Sequence, residues 1–104
     1  MAVELVLVTM AFDAAAGCDD ALRRLLARYV VLARGDAGCR NIDLVASATR
    51  PDRYLVIEKW QTPEAQRRHF DSPAMVELAE ACRGLLSSPP QIDLHEPISA
   101  HDLH

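Results

Sequence analysis

The sequence has little that would point to nucleic acid, to a metal centre or to a nucleotide cofactor. Lysine and arginine form no run, and the 104 residues carry a formal net charge of −4, which argues against nucleic acid and anionic membranes as partners. The three cysteines have no CxxC spacing, so we expect neither a disulfide framework nor a zinc knuckle. Glycine-rich phosphate loops, GxSxG and HExxH are also missing. We therefore expect neither a metal nor an organic cofactor.

Long apolar segments are missing as well. The apolar stretch 1–10 contains Glu4, has no basic leader and is too short to cross a bilayer, so we expect neither a signal peptide nor a membrane anchor. Unpaired cysteines fit a reduced compartment, which predicts a cytoplasmic protein. His95, His101 and His104 lie close together near the end, and without a supporting carboxylate they indicate a solvated tail rather than a metal site.

What the sequence does contain is typical of one compact domain. Half of the residues are hydrophobic and a quarter are charged, and 104 residues suffice for a single hydrophobic core. We expect one domain over residues 1–98, followed by a polar tail over 99–104.

The order of hydrophobic patterns and turn signals predicts an α+β fold. Alternating or β-branched stretches indicate strands, and 3.6-residue periodicity between N-cap and glycine signals indicates helices. The predicted strands are 3–12, 39–49, 53–61 and 92–98, and the predicted helices are 19–34, 63–71 and 73–86. This order predicts the ferredoxin-like βαββαβ plan, a four-stranded antiparallel sheet with helices on one face.

The first and third strands are apolar on both faces, which predicts a homodimer. The helices can cover only one face of the sheet, and a second copy of the chain is the simplest cover for the other. Strand parity groups Tyr54, Val56 and Trp60 on one face, and we expect Tyr54 to lie on the dimer face. Trp60 lies at the end of its strand, so it can face either the partner or His69.

The segment 58–73 carries the candidate site. Thr62 and Pro63 start a short helix, in which Ala65, Gln66, His69 and Phe70 share one arc and are expected to face inward. An inward histidine can act as a base near neutral pH, or it can be a structural residue whose nitrogens are satisfied by hydrogen bonds.

Glu58 is a second candidate, because a carboxylate on an otherwise apolar strand face is unusual. It can be a buried, chemically active group, or it can form an ion pair with Arg53 or Arg40 at the dimer interface. For Trp60, plain core filling is the alternative to a role in the site.

The segment 58–73 resembles the antibiotic biosynthesis monooxygenase family and its quinol-monooxygenase relatives. The likeness rests on Glu58-x-Trp60, Thr62-Pro63-Glu64-Ala65 and His69-x-x-Ser72-Pro73, together with the turn Gly38-Cys39. It implies a dimeric α+β barrel and a cofactor-independent monooxygenase that oxidises a small aromatic, polyketide or quinol-like substrate with O2. His69 would be the base, and Trp60, Phe70 and Glu58 would contact the substrate. A non-enzymatic ligand-binding module and an isomerase-type enzyme are the alternatives on the same fold.

Haem degradation, which other members of that family perform, is disfavoured by the same comparison. In those members a tryptophan stands at the position that His69 has in this chain. Their histidine ligand follows about nine residues later, where this chain has Leu78.

Overall fold

The computed structural model describes residues 5–100 and contains four strands and three helices in the expected order. The strands are β1 (Val6–Asp13), β2 (Cys39–Ala46), β3 (Arg53–Trp60) and β4 (Gln91–His95). The helices are α1 (Asp19–Ala33), α2 (Pro63–Phe70) and α3 (Pro73–Ala81). The strands form one antiparallel sheet in the order β2-β3-β1-β4, with the helices on one face, so the predicted fold class is confirmed. The residues assigned to the tail include 101–104, which lie outside the described range.

The core lies between the sheet and the helices. β1 supplies Val8, Met10 and Phe12 to it, and register places these opposite Glu58, Val56 and Tyr54 of β3. The buried residues of α1 are spaced three and four apart, as an amphipathic helix requires; they are Leu22, Leu26, Tyr29, Val30 and Ala33. Leu32, which the sequence assigned to this stripe, is exposed, and Val30 takes its place.

The assignment of the two sheet faces was wrong. Tyr54, Val56 and Trp60 face the helices of their own chain and are buried, Val56 and Trp60 completely. Alternation along a strand shows which residues share a face, but it does not show which face the helices cover when both are apolar. The open face instead carries the odd-numbered residues of β1 and β3, including Leu7, Leu55 and Ile57.

The last helix is shorter than its pattern suggested. α3 ends at Ala81, and Gly84 adopts a φ of 79° in the turns that follow. Leu78 and Cys82 are buried, whereas Val76, which the longer helix would have placed inward, is exposed. The buried residues therefore fit the helix that ends at Ala81 rather than the predicted helix that extends to Leu86.

Gly38 fixes the turn before β2 against the start of α2. Its φ of 82° lies in the left-handed region, and a Cβ there would come within 2.4 Å of the Ala65 Cβ. Its carbonyl accepts a hydrogen bond from the Gln61 N–H at 2.8 Å. The backbone can approach α2 this closely only where no side chain intervenes.

Gly38→Ala is expected to lower the free energy of unfolding by more than the roughly 1–2 kcal/mol that a left-handed alanine costs alone. The excess comes from the contact with Ala65. Gly17→Ala is the matched control, because Gly17 has a φ of 78° and no atom within 4 Å of the added Cβ. Chemical denaturation of both variants measures the difference, and equal losses would contradict the close packing of this turn on α2.

Candidate functional site

A chain of hydrogen bonds runs through the core between the sheet and the helices. The Tyr29 hydroxyl donates to Glu58 Oε2 at 2.6 Å and lies 2.7 Å from His69 Nε2. On its other side, His69 Nδ1 lies 2.5 Å from Asp36 Oδ2. Four side chains from α1, the 34–38 turn, β3 and α2 thus form one continuous cluster.

Trp60 completes the surroundings of Glu58 and His69. Its indole N–H donates to Glu58 Oε1 at 2.9 Å, and its ring stacks on the His69 ring with centroids 4.6 Å apart. Glu58 is 2% exposed, so its two oxygens depend on the donors from Tyr29 and Trp60. We call Asp36, His69, Tyr29, Glu58 and Trp60 the buried polar cluster.

Local sequence explains how His69 reaches this position. The Thr62 hydroxyl accepts from the Ala65 N–H at 3.1 Å and Pro63 occupies the first turn, so α2 begins at a defined residue. One turn and a half later, His69 points inward and is 4% exposed, as predicted. Phe70 is 47% exposed, so its predicted inward position was wrong.

The predicted ion pair of Glu58 with Arg53 is not formed. Arg53 instead makes a bidentate pair with Asp13, with N···O distances of 2.8 and 2.7 Å. This pair lies on the other face of β3 from Glu58, at the far end of the strand. The question of whether Trp60 faces the helices or a partner is likewise answered, since Trp60 faces the helices.

An apolar cavity of about 460 Å³ lies beside the cluster, between the sheet, α3 and the segment that follows α3. Most of its wall is apolar, and it is formed chiefly by Met10, Phe12, Met75, Leu78, Cys82, Leu86 and Ile92. Among residues 5–100, Arg83 is the only charged residue in the lining. Hydrogen bonds from the Ala15 and Ser87 N–H groups to the Leu85 and Asp13 carbonyls fasten the outer wall to the end of β1.

Met75 separates the cavity from the buried polar cluster. Its sulfur lies 3.4 Å from the Tyr29 hydroxyl oxygen, and its side chain lines the cavity. None of the predicted site residues His69, Trp60, Phe70 and Glu58 lines this cavity. His69 and Asp36 line a smaller cleft of about 170 Å³ on the outer side, together with Arg68.

The cluster contains two residues that the sequence did not single out. These residues are Tyr29 of α1 and Asp36 of the 34–38 turn. The pairing of Cys39 with Trp60 would have located the turn beside the end of β3, had the register been known.

The surroundings of the cysteines near the site do not activate their thiols as nucleophiles. Burial raises the pKa of Cys82, and burial with the nearby Glu58 and Asp36 carboxylates raises that of Cys39. All three cysteines are free, and residues 5–100 contain no group of three or more histidine, cysteine or acidic side chains placed to hold a metal ion.

No helix within the same range is long and apolar enough to cross a membrane.

An α+β sheet with a polar cluster behind it and an apolar cavity beside it defines a small ligand-binding or catalytic domain. The family model for antibiotic biosynthesis monooxygenases matches residues 5–81, and the chain belongs to this family. No curated protein matches the chain.

Solved structures with the same fold cover nearly the whole chain. Rv0793 from Mycobacterium tuberculosis is 25% identical with a TM-score of 0.87, covering 95% of this chain and 100% of its own. PA3566 from Pseudomonas aeruginosa is 27% identical with a TM-score of 0.81, covering 95% and 98%. SO0527 from Shewanella oneidensis, 22% identical with a TM-score of 0.85 over 92% and 93%, shows the same fold.

Trp60→Phe is expected to lower the free energy of unfolding by about 1–3 kcal/mol, because Glu58 Oε1 loses its donor while an aromatic ring still packs on His69. Tyr54→Phe is the control, since it removes a hydroxyl that bonds to Asp19 in a position closer to solvent. Thermal and denaturant unfolding measure both losses. A Trp60→Phe loss no larger than that of Tyr54→Phe would contradict the importance of this donor.

Proposed function

We propose that the protein is a cofactor-independent monooxygenase that oxidises a small aromatic, polyketide or quinol-like compound with O2. The observation that carries the proposal is a buried group of proton acceptors one side chain away from an apolar cavity of about 460 Å³. Membership of the antibiotic biosynthesis monooxygenase family supports the reaction class.

The chemistry needs few groups from the protein. Removing a proton from an electron-rich ring system gives an anion that can itself reduce O2. Oxidation of a ring CH2 to a carbonyl then places one oxygen atom in the product and the other in water, so no external reductant is required. The protein has to bind the ring, accept the proton and exclude bulk water, and an apolar cavity serves the first and third of these tasks.

His69 accepts the proton in this proposal, and it does so through Tyr29. His69 itself does not line the cavity, whereas the Tyr29 hydroxyl lies 2.7 Å from His69 Nε2 and is covered on the cavity side by Met75. Met75 has an unbranched, flexible side chain, and its displacement by a bound ring would bring the substrate to the hydroxyl. Glu58 and Trp60 then act behind Tyr29 rather than on the substrate.

A non-enzymatic ligand-binding module is the second candidate. It is favoured by the fact that both ring nitrogens of His69 already have partners within the protein. The same cavity would then bind a ring compound without chemistry.

His69→Gln is expected to lower turnover by roughly 10²–10⁴-fold, because glutamine keeps hydrogen bonding but does not accept the proton. Oxygen consumption over a panel of anthrones and hydroquinones, without added flavin, measures it, and binding of the same compounds should change little. Turnover should rise with pH as the cluster loses a proton. Arg67→Gln, on the exposed side of α2, is the control.

Two results would overturn this assignment. Near-native turnover of His69→Gln with only a lower melting temperature would make His69 structural. Binding of ring compounds without oxygen consumption by the unaltered protein would favour the binding module.

We also propose that the protein is a homodimer joined through the open face of the sheet. That face carries Leu7, Leu55 and Ile57, which the helices of the same chain do not cover. Burial of such a face by a second sheet is the usual arrangement for apolar sheet surfaces.

Ile57→Asp and the adjacent Val56→Asp separate association from folding. Ile57→Asp is expected to give a folded monomer, whereas Val56→Asp should unfold the chain, because Val56 is fully buried in its own core. Sedimentation at low micromolar concentration with circular dichroism distinguishes the two. A folded monomer of the unaltered protein would contradict the dimer.

A further inference from the structure

The buried polar cluster connects solvent with a buried carboxylate. Its outer end is Asp36, whose side chain is 39% exposed, and its inner end is Glu58, which is 2% exposed. Each intervening contact is between 2.5 and 2.7 Å, so the path has no gap.

The number of protons restricts how these bonds can be made. Tyr29 has a single hydroxyl proton, and it faces Glu58 Oε2 on one side and His69 Nε2 on the other. When this proton goes to an ionised Glu58, His69 must donate from Nε2 to the tyrosine oxygen. It must also donate from Nδ1 to an ionised Asp36, so His69 is then an imidazolium.

A second arrangement uses the same three protons. If Glu58 carries a proton and donates it to the Tyr29 oxygen, Tyr29 donates to His69 Nε2, and His69 is neutral while its Nδ1–H still bonds to Asp36. The two forms interconvert when Glu58 passes its proton to Tyr29 and Tyr29 passes its own to His69. Every bond is kept, Glu58 becomes a carboxylate and His69 becomes an imidazolium.

We propose that Asp36, His69, Tyr29 and Glu58 form a proton relay, in which one proton is shared between Glu58 and His69 through the Tyr29 hydroxyl and exchanges with solvent at Asp36. Tyr29 keeps its own proton overall, because burial and the facing Glu58 carboxylate raise its pKa. Glu58 and Asp36 are positioning residues here, since they act through Tyr29 and His69.

The other residues packed around Asp36, His69, Tyr29 and Glu58 are not members of the relay. Arg68 lines the outer cleft with Asp36 and His69 and carries no proton that the relay uses. Arg34 donates to the Ile42 carbonyl at 3.1 and 2.8 Å, and Cys39 remains a thiol because its pKa is raised. From α3, Met75 contacts the Tyr29 hydroxyl and does not titrate, while Glu77 of α3 and Arg28 of α1 line a separate cleft with Tyr29.

The purpose of the relay depends on the proposed function. With two protons instead of three, the single hydroxyl proton of Tyr29 faces two acceptors, the Glu58 carboxylate and Nε2 of a neutral His69. In this state the cluster can take one proton from the cavity at the tyrosine oxygen and hold it on Glu58 or His69. Release at Asp36 then restores the acceptor for the next turnover without opening the cavity to water.

Titration by nuclear magnetic resonance tests the relay without any substrate, so its failure is distinguishable from a lack of oxygenase activity. The ring nitrogens of His69, assigned by comparison with His69→Gln, are followed with pH in the unaltered protein, Glu58→Gln and Asp36→Asn. Loss of either carboxylate should change the protonation of the His69 ring nitrogens across the titration, because each carboxylate accepts through one end of the relay. Glu64→Gln, which removes a carboxylate from the exposed side of α2, should leave it unchanged.

The shared proton is tested with Tyr29→Phe. In this variant, adding Glu58→Gln should shift the His69 midpoint much less than it does when Tyr29 is present, because the connecting hydroxyl is gone. In the unaltered protein, which requires no variant to fold, the carboxyl carbon of Glu58 and the ring of His69 should follow the same two midpoints. Independent midpoints, or a His69 midpoint insensitive to Glu58→Gln, would overturn the proposal.

Discussion

The buried carboxylate of Glu58 is the constraint on which the rest of the site depends. A carboxylate at 2% exposure is tolerated only where donors surround it, and here they come from two different elements, the Tyr29 hydroxyl of α1 and the Trp60 indole of the same strand. Meeting this requirement fixes the position of α1 over β3. The bond between Tyr29 and His69 then links α1 to α2, so that the polar cluster joins both helices to β3.

Backbone geometry places Asp36, the outer member of the cluster, beside His69. Asp36 belongs to no strand or helix, and it reaches His69 because the turn that contains it packs against α2 at Gly38 and Ala65. The hydrogen bond from the Gln61 N–H to the Gly38 carbonyl joins this turn to the beginning of α2. A side chain at position 38 would separate the turn from the helix, and with it Asp36 from His69. The position of Asp36 at the solvent end of the cluster thus depends on Gly38, which has no side chain.

Local patterns in the sequence predicted the elements well and their mutual orientation poorly. The order of strands and helices, the start of α2 at Thr62 and Pro63 and the inward position of His69 all follow from periodicity and capping, which are local properties. The side of the sheet that a strand residue faces is a tertiary property. Because both faces of β3 are apolar, the dimer-face prediction for Tyr54 was wrong and the orientation of Trp60 stayed open. Phe70 was misplaced because it shares the angular position of the buried Gln66 but lies at the end of α2, where it is 47% exposed. Tyr29 and Asp36 could not be found, because their role exists only where α1 and a turn meet β3 and α2.

In the proposed function, the arrangement of cavity and cluster would let a protein of this size handle a reactive ring with few polar residues. The cavity wall is apolar apart from Arg83 and the serines of its outer segment, so it provides no acceptor of its own for a proton. The acceptors lie behind Met75, where they are satisfied by one another and shielded from bulk water. Because a flexible thioether rather than backbone separates the two, access to Tyr29 depends on what occupies the cavity. In the proposed function, proton transfer is therefore linked to binding, because the acceptors stay paired until a bound ring displaces Met75.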